Sequence, residues 1–475
     1  MDELIKSVIS FSWAISLFGM KQLSNAVTPD DPRQPMERAA NAFYSVTRAT
    51  AGQLGDSMTD AFHYVDRLQR GMIELAYSVL TFDDLMPRRM MKVTLDVMQL
   101  SADTLRLLMP GQDSRVDLQE FKNKVQAFDL FEHVDSALQL PSGTDVSLTE
   151  LIQKTSALEP YLAVWAMEGV GHYHAEAVRE QNGLPQNLLR NDNVSALPAE
   201  SMAALHAGMG LSFANHFLKR INPHSPVLEI RKALNQFIAL CEGNSRQGFS
   251  AAAIESLGLV ARNLYPQMVQ IIDQQMPDIY TDLAGYFWHG VGRAIYFAPT
   301  NFLPCGSSSE RAMDLSEKEP PHELGRLNAM AGLAWALNLV NIRQPEVMET
   351  LLKRHGERLS ESDAFYNGVM SSIIIWRDST QHDSDITRLC QYHPDPSNAS
   401  LVELWNSQVK RPCELALQYH GVLKEHNCLG EVFRYQSLPE LVARLKRKPR
   451  AHTRWRSERK ESIGNLSETG VTPAR

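Results

Sequence analysis

Cysteine is scarce in this chain: five in 475 residues, at Cys241, Cys305, Cys390, Cys413 and Cys428, odd in number and without a C-x-x-C pair. That excludes a disulfide framework and a zinc ribbon and predicts reduced thiols in a cytoplasmic protein. Positive charge is short as well. A formal net charge of −8 removes the electrostatic case for nucleic-acid binding by the folded body. Val-Ile-Thr alternation of period two is almost absent, which argues against any substantial sheet. There is no P-loop, no G-x-S-x-G elbow, no G-x-G-x-x-G after a strand and no H-E-x-x-H, so no cofactor and no metal is expected and no reaction is named. One long apolar run exists, Ser7 to Met20. It is shorter than the roughly 20 residues needed to span a bilayer, and Asp2 and Glu3 stand where a signal peptide is basic.

What the chain has instead is a repeated small-residue signature. It reads Glu168-Gly-Val-Gly171, Ala207-Gly-Met-Gly210, Glu255-Ser-Leu-Gly258, His289-Gly-Val-Gly292, Ala329-Met-Ala-Gly332 and Asn367-Gly-Val-Met370, with fourth positions 39, 48, 34, 40 and 38 residues apart. Such a period belongs to helical-hairpin repeats. Each signature lies in an apolar, alanine-rich run free of internal proline: Ala166 to Ala177, Met202 to Leu218, Ala251 to Leu264, Tyr286 to Phe297, Leu327 to Val340 and Phe365 to Trp376. Glycine inside a helix costs about 1 kcal/mol relative to alanine, so its recurrence demands a compensating gain. Two gains are available: close approach of neighbouring helix backbones, or an open floor against which a ligand lies.

The fold class that follows is all-α, with helical-hairpin repeats forming a solenoid or α/α toroid. Residues 1–34 form an apolar segment and a proline-rich linker, 35–145 an N-terminal helical module, 146–380 the repeat domain and 381–440 a helical cap. Asp113 to Thr149 reads as loop-rich. Residues 441–475 carry ten Lys/Arg against three Asp/Glu and read as a disordered basic tail. This tail and the Ser7–Met20 run predict reversible association with an anionic membrane surface, on the inner membrane of the cytoplasmic side.

Two constellations carry chemistry. In Trp165-Ala-Met-Glu168-Gly-Val-Gly-His172-Tyr173-His174 the carboxylate and His172 are four apart and share a helix face, suited to acid/base work, a structural hydrogen bond or a metal completed from His206, His216 or His289. In Tyr286-Phe-Trp288-His289-Gly-Val-Gly-Arg293-Ala-Ile-Tyr296-Phe297 the pair His289 and Arg293 repeats that spacing; Arg293 can equally pair with an acid such as Asp282. Corresponding positions of repeated helices converge on one surface. Trp165, Glu168, His172, Tyr173, His206, Trp288, His289, Arg293 and Tyr296 are therefore the candidate ligand-binding residues, aromatic walls with polar anchors.

Trp165 to Ala177, Tyr286 to Phe297 and Leu327-Asn-Ala-Met-Ala-Gly-Leu-Ala-Trp335 together resemble, over residues 160–345, a bacterial family of unknown function found beside enediyne polyketide synthases. The resemblance rests on an aromatic E/D-G-x-G element, a G-x-G-R-S/A-L/I-aromatic-F element and a glycine- and alanine-rich helix in that order. It implies an accessory role in polyketide or lipid-like metabolism, with an apolar or polyene-like small molecule as partner. The repeated G-x-G and His-Gly pairs also resemble the α/α toroids of lanthionine cyclases in architecture, without their Cys-His-Gly zinc element. A non-enzymatic scaffold that binds a protein partner is the alternative reading.

Overall fold

The computed structural model describes residues 114–132, 134–138, 140, 147–190, 200–279, 282–298, 301, 308–380 and 384–447. The Ser7–Met20 run, the helices expected within 35–113 and the tail beyond residue 447 lie outside them. Among the described residues every regular element is helical. They are α1 (Ser114–Glu132), α2 (Val134–Ala137), α3 (Leu148–Ser156), α4 (Pro160–Asn182), α5 (Met202–Leu218), α6 (Val227–Asn244), α7 (Ser250–Leu264), α8 (Val269–Gln275) and α9 (Leu283–Tyr296). After these come α10 (Ser308–Lys318), α11 (Glu323–Val340), α12 (Pro345–Leu359), α13 (Ala364–Ser379), α14 (Ser384–Gln391), α15 (Ala399–Trp405), α16 (Arg411–Glu425) and α17 (Leu438–Arg447).

The six signatures fall in α4, α5, α7, α9, α11 and α13, and each of these helices packs on the next in that order. They are buried nearly all round: in α9 every residue from Gly285 to Tyr296 is inside. The helices between them are amphipathic. In α6, for example, Ile230, Ala233, Leu234, Phe237, Ile238 and Cys241 form one buried stripe and the opposite face meets solvent.

Small residues explain how a helix can be sandwiched between two others. The second and fourth signature positions are two residues apart, about 200° of rotation, so they look toward opposite neighbours. A methyl group built on the fourth-position glycine would strike the following helix: Gly171 at 2.1 Å from the Leu205 carbonyl oxygen, Gly210 at 2.2 Å from that of Ala253, Gly258 at 1.9 Å from that of Phe287, and Gly292 at 2.0 Å from that of Ala329. The second-position residues look backward in the same way, Gly208 at 1.8 Å from the Glu168 oxygen, Gly290 at 2.2 Å from that of Glu255 and Gly368 at 2.2 Å from that of Ala331. Where serine replaces glycine, Ser256 donates its hydroxyl to the Ala207 carbonyl at 2.8 Å, making a bond of the same close approach. In the fifth signature Met330 fills the second position and Gly332 takes over the backward contact, 1.9 Å from the His289 oxygen. The glycines are thus occupied by neighbouring backbone, and the reading of these positions as an open floor for a ligand is corrected.

The last signature helix comes back to the first two. Ser201, which opens α5, donates its N–H to the Asp378 carbonyl of α13 at 3.0 Å. The rings of Tyr161 on α4 and Trp376 on α13 lie 6.0 Å apart.

Segments flanking the row differ from expectation in two places. Asp113 to Thr149, read as loop-rich, contains the 19-residue α1. That helix packs on α4 and sends Asn123 to Asn341 and Gln344 (3.0 and 2.8 Å) and Lys124 to the Asn301 carbonyl (3.1 Å). Its apolar positions Phe121, Val125 and Ala127 are buried, a stripe overlooked among the polar residues. At the other end Leu441 to Arg447, read as the start of a disordered tail, belongs to α17. Leu438, Leu441, Val442 and Leu445 bury one face, while Arg444, Lys446 and Arg447 sit in the last turn, where cations oppose the helix dipole.

Two predictions follow from this packing. Gly258→Ala should lower the unfolding free energy by about 3 kcal/mol or more, since two helices must separate to admit the methyl group. Gly421→Ala, on α16 with nothing within 4 Å, should instead raise it by about 0.5–1 kcal/mol. Urea denaturation of both variants checks the contrast.

Candidate functional site

The first signature position lies, by the same helical arithmetic, between the directions of the second and fourth, on one side of the row. That side gathers Glu168 of α4, Glu255 of α7 and His289 of α9, with Arg293 one turn beyond His289. The Arg293 guanidinium donates from Nη1 to Glu255 Oε2 at 2.9 Å and from Nη2 to Glu168 Oε1 at 3.0 Å. Glu255 presents its other oxygen to His289 Nδ1, also at 2.9 Å. The indole of Trp335 on α11 lies under the guanidinium, 4.2 Å from ring centre to Cζ. Glu168 has the only side chain of the four with appreciable access, 10 % exposed against 0–2 % for the other three.

Two carboxylates share one permanent cation. Burial raises the Glu168 carboxyl above its ordinary value; Arg293 opposes this and neighbouring Glu255 adds to it. Burial likewise lowers the His289 imidazole, against the pull of Glu255, and holds it neutral at pH 7. Arg293, held between the two carboxylates, is raised although burial works against its charge. A neutral imidazole that donates from Nδ1 to a carboxylate has its lone pair on Nε2. That atom is buried and has no hydrogen-bond partner. The rings of Trp335 and Phe433 stand edge-on to the imidazole, 6.5 and 6.4 Å from ring centre to ring centre. The Trp335 indole Nε1 is buried without a partner as well. A carboxylate-oriented imidazole with a free nitrogen is the arrangement that accepts a proton or a hydrogen bond from a bound molecule. Among the described residues no three His, Cys, Asp or Glu side chains are grouped to hold a metal ion.

Of the nine residues expected at a common site, Glu168, His289 and Arg293 meet. Arg293 takes Glu255 and Glu168, whereas Asp282 pairs with Arg434 at 2.8 Å. The helix-face pairing of Glu168 with His172 is replaced by the contact of Glu168 with Arg293; His172 lies half-buried beside Glu176 and Arg179, its pKa lowered chiefly by burial. Tyr173 packs partly buried on the core. Trp165 packs edge-on against Tyr161 and Phe297, its indole Nε1 buried without a partner. Trp288 points to Asp273, which accepts from its Nε1 at 2.7 Å and from His322 Nε2 at 3.1 Å. Tyr296 donates to Glu120 of α1 at 2.9 Å and accepts from Asn341 at 2.8 Å. His206 bonds the Met202 carbonyl through Nδ1 at 2.6 Å and accepts the Arg246 N–H at Nε2 at 3.0 Å, a fully satisfied structural imidazole.

Glu255, Trp335 and Phe433 escaped the sequence reading. A signal for Glu255 was present: it holds the first position of the third signature, equivalent to Glu168 and His289. Trp335 and Phe433 carry no such mark, since one lies past its signature and the other on a short 3-10 turn, Leu429–Phe433.

Two tests address these groups. Removing the guanidinium by Arg293→Met should cost about 3–5 kcal/mol of stability, because Glu168 then loses its cation and Glu255 keeps only its hydrogen bond with His289; Glu168→Gln added to it should recover part of the loss in urea denaturation. Burial pushes His206 down to about 4 from 6.5, so the unfolded chain takes up this proton first as pH falls. Stability from His206 is therefore full above pH 6.5 and declines toward pH 4, by roughly 3 kcal/mol. His206→Gln should flatten that part of the stability–pH curve.

No protein-family model, curated protein or solved structure matches this chain.

Proposed function

We propose that the protein binds an apolar small molecule carrying an O–H or N–H donor, inside a ring of helical hairpins, with His289 Nε2 as the acceptor. One observation carries this reading: an acceptor on an imidazole oriented by Glu255 is buried and left unpartnered. A buried polar atom without a partner is costly, and a ligand that supplies the missing bond recovers that cost. Aromatic and aliphatic walls with a few placed polar groups are the usual makeup of a small-molecule site. The return of α13 to α4 and α5 supports a closed toroid over an open solenoid. An accessory place in polyketide or lipid-like metabolism rests on the motif resemblance.

Decan-1-ol, an alkyl chain with one hydroxyl, is a suitable probe. Titration followed by tryptophan fluorescence should saturate, and His289→Gln should weaken binding at least tenfold while circular dichroism is unchanged. An organic extract of the purified protein should contain an apolar compound by mass spectrometry. Unsaturable titration, or affinity indifferent to His289→Gln, overturns the reading.

A further inference from the structure

Two cysteines carried by different helices meet thiol to thiol. Cys390 lies near the end of α14 and Cys413 in the first turn of α16, and these two helices pack together. The Cys413 thiol shares a hydrogen bond with that of Cys390. Neither residue stands in a C-x-x-C element, so only the fold makes them a pair.

Their surroundings differ. Cys413 is fully buried and follows Pro412, also buried, and a π turn, Asn406–Lys410, in which the Arg411 N–H reaches back to the Asn406 carbonyl. Because α16 packs in turn against α13, the last signature helix, this thiol sits on a firm support. Cys390 is only partly buried, on a short helix whose inner face is made by Ile386 and Leu389. A small reagent can therefore reach Cys390 first, and Cys413 only by way of Cys390. Acidity runs in the same order: the Cys413 thiol is pushed up by its hydrogen bond with Cys390, by burial and by negative charge at Cys390. Attack belongs to the accessible thiol that ionises more readily. The other described cysteines are placed differently. Cys241 is buried on α6, and the Cys428 thiol donates to the His426 carbonyl at 3.4 Å.

We infer that Cys390 and Cys413 form a reversible thiol–disulfide site, Cys390 attacking and Cys413 resolving, whose reaction partner is a small disulfide such as oxidised glutathione. The Cys390 thiolate attacks one sulfur of glutathione disulfide, breaking its S–S bond and releasing one glutathione thiolate. Cys413 sulfur then attacks the Cys390 sulfur of the mixed disulfide, and the second glutathione leaves and takes up the Cys413 proton. Two protein thiols are oxidised to one disulfide, and one glutathione disulfide is reduced to two thiols. Sulfurs in hydrogen-bonding contact reach the S–S distance of about 2.05 Å by rotating their side chains. The new bond ties α14 to α16.

Oxidised glutathione added to the reduced full-length protein in native buffer is the test. The remaining thiols are then blocked with iodoacetamide in denaturant, and every cysteine is located by peptide mass spectrometry. The Cys390 and Cys413 peptides should be recovered joined and lighter by two hydrogens, with Cys241 still a thiol, and dithiothreitol should separate them. In Cys413→Ser, glutathione should stay on Cys390 at about tenfold the occupancy found in the wild-type chain, because nothing resolves the mixed disulfide. In Cys390→Ser, Cys413 should stay reduced. The site is overturned by absence of the joined peptide, by its appearance only as Cys241 also becomes modified, or by linkage of either residue to another cysteine. Equal glutathione occupancy on Cys390 in the wild-type and Cys413→Ser chains overturns it too. The wild-type result decides the matter even where a variant fails to fold.

Discussion

Backbone touching backbone is the constraint from which the rest of this protein follows. At each of the five crossings from α4 to α13 at least one glycine brings a helix against its neighbour's carbonyl oxygens, closer than any side chain permits. Interiors are packed as densely as organic crystals, so such crossings tolerate little adjustment. The helix that must be approached from both sides needs two small residues on opposite faces, and spacing them two apart achieves it. Direction is then determined for the remaining positions. The residue just before the pair is aimed between the two neighbours, which is how Glu168, Glu255 and His289, spread over more than 100 residues of chain, come to face one another.

Charge is the second layer, and it is deliberately incomplete in the physical sense that the sums do not cancel. With His289 neutral, Glu168 and Glu255 outnumber Arg293 by one negative charge. Burial resists that excess by raising Glu168 toward protonation and lowers His289 away from it, so the two groups respond to pH in opposite senses. A raised carboxyl is most favourable for the fold in acid and loses that advantage as pH climbs through its folded pKa; a lowered imidazole behaves the other way.

How far the sequence disclosed all this depends on what kind of force was at work. Packing left a strong trace: each of the six apolar runs marks one of the six central helices, although Ala166 to Ala177 covers only the middle of the 23-residue α4. The clustering of Glu168, His289 and Arg293 was legible from their equivalent places in the signature. Partner choice was not, since a helix-face pairing such as Glu168 with His172 is local and visible in one dimension, while Arg293 reaching Glu168 across 125 residues is a product of how the row turns. Trp288 and Tyr296 looked like walls of a cavity and instead spend their polar atoms on Asp273 and Glu120, for the ordinary reason that buried indole and phenol groups seek acceptors. Amphipathic helices among many charges, α1 and α17, were the hardest to see.

The placement of Phe433 in the chain has a consequence for how the molecule is made. Synthesis runs from the N-terminus, and domains gain structure as they emerge. Every signature helix is complete by residue 379, yet the turn that covers His289 and Trp335 is made some fifty residues later. For that interval the nascent row exposes an aromatic, unsatisfied interior to whatever shares its surroundings. The last-made turn is therefore the piece that buries these two rings, and the row is not fully covered until the chain is nearly finished.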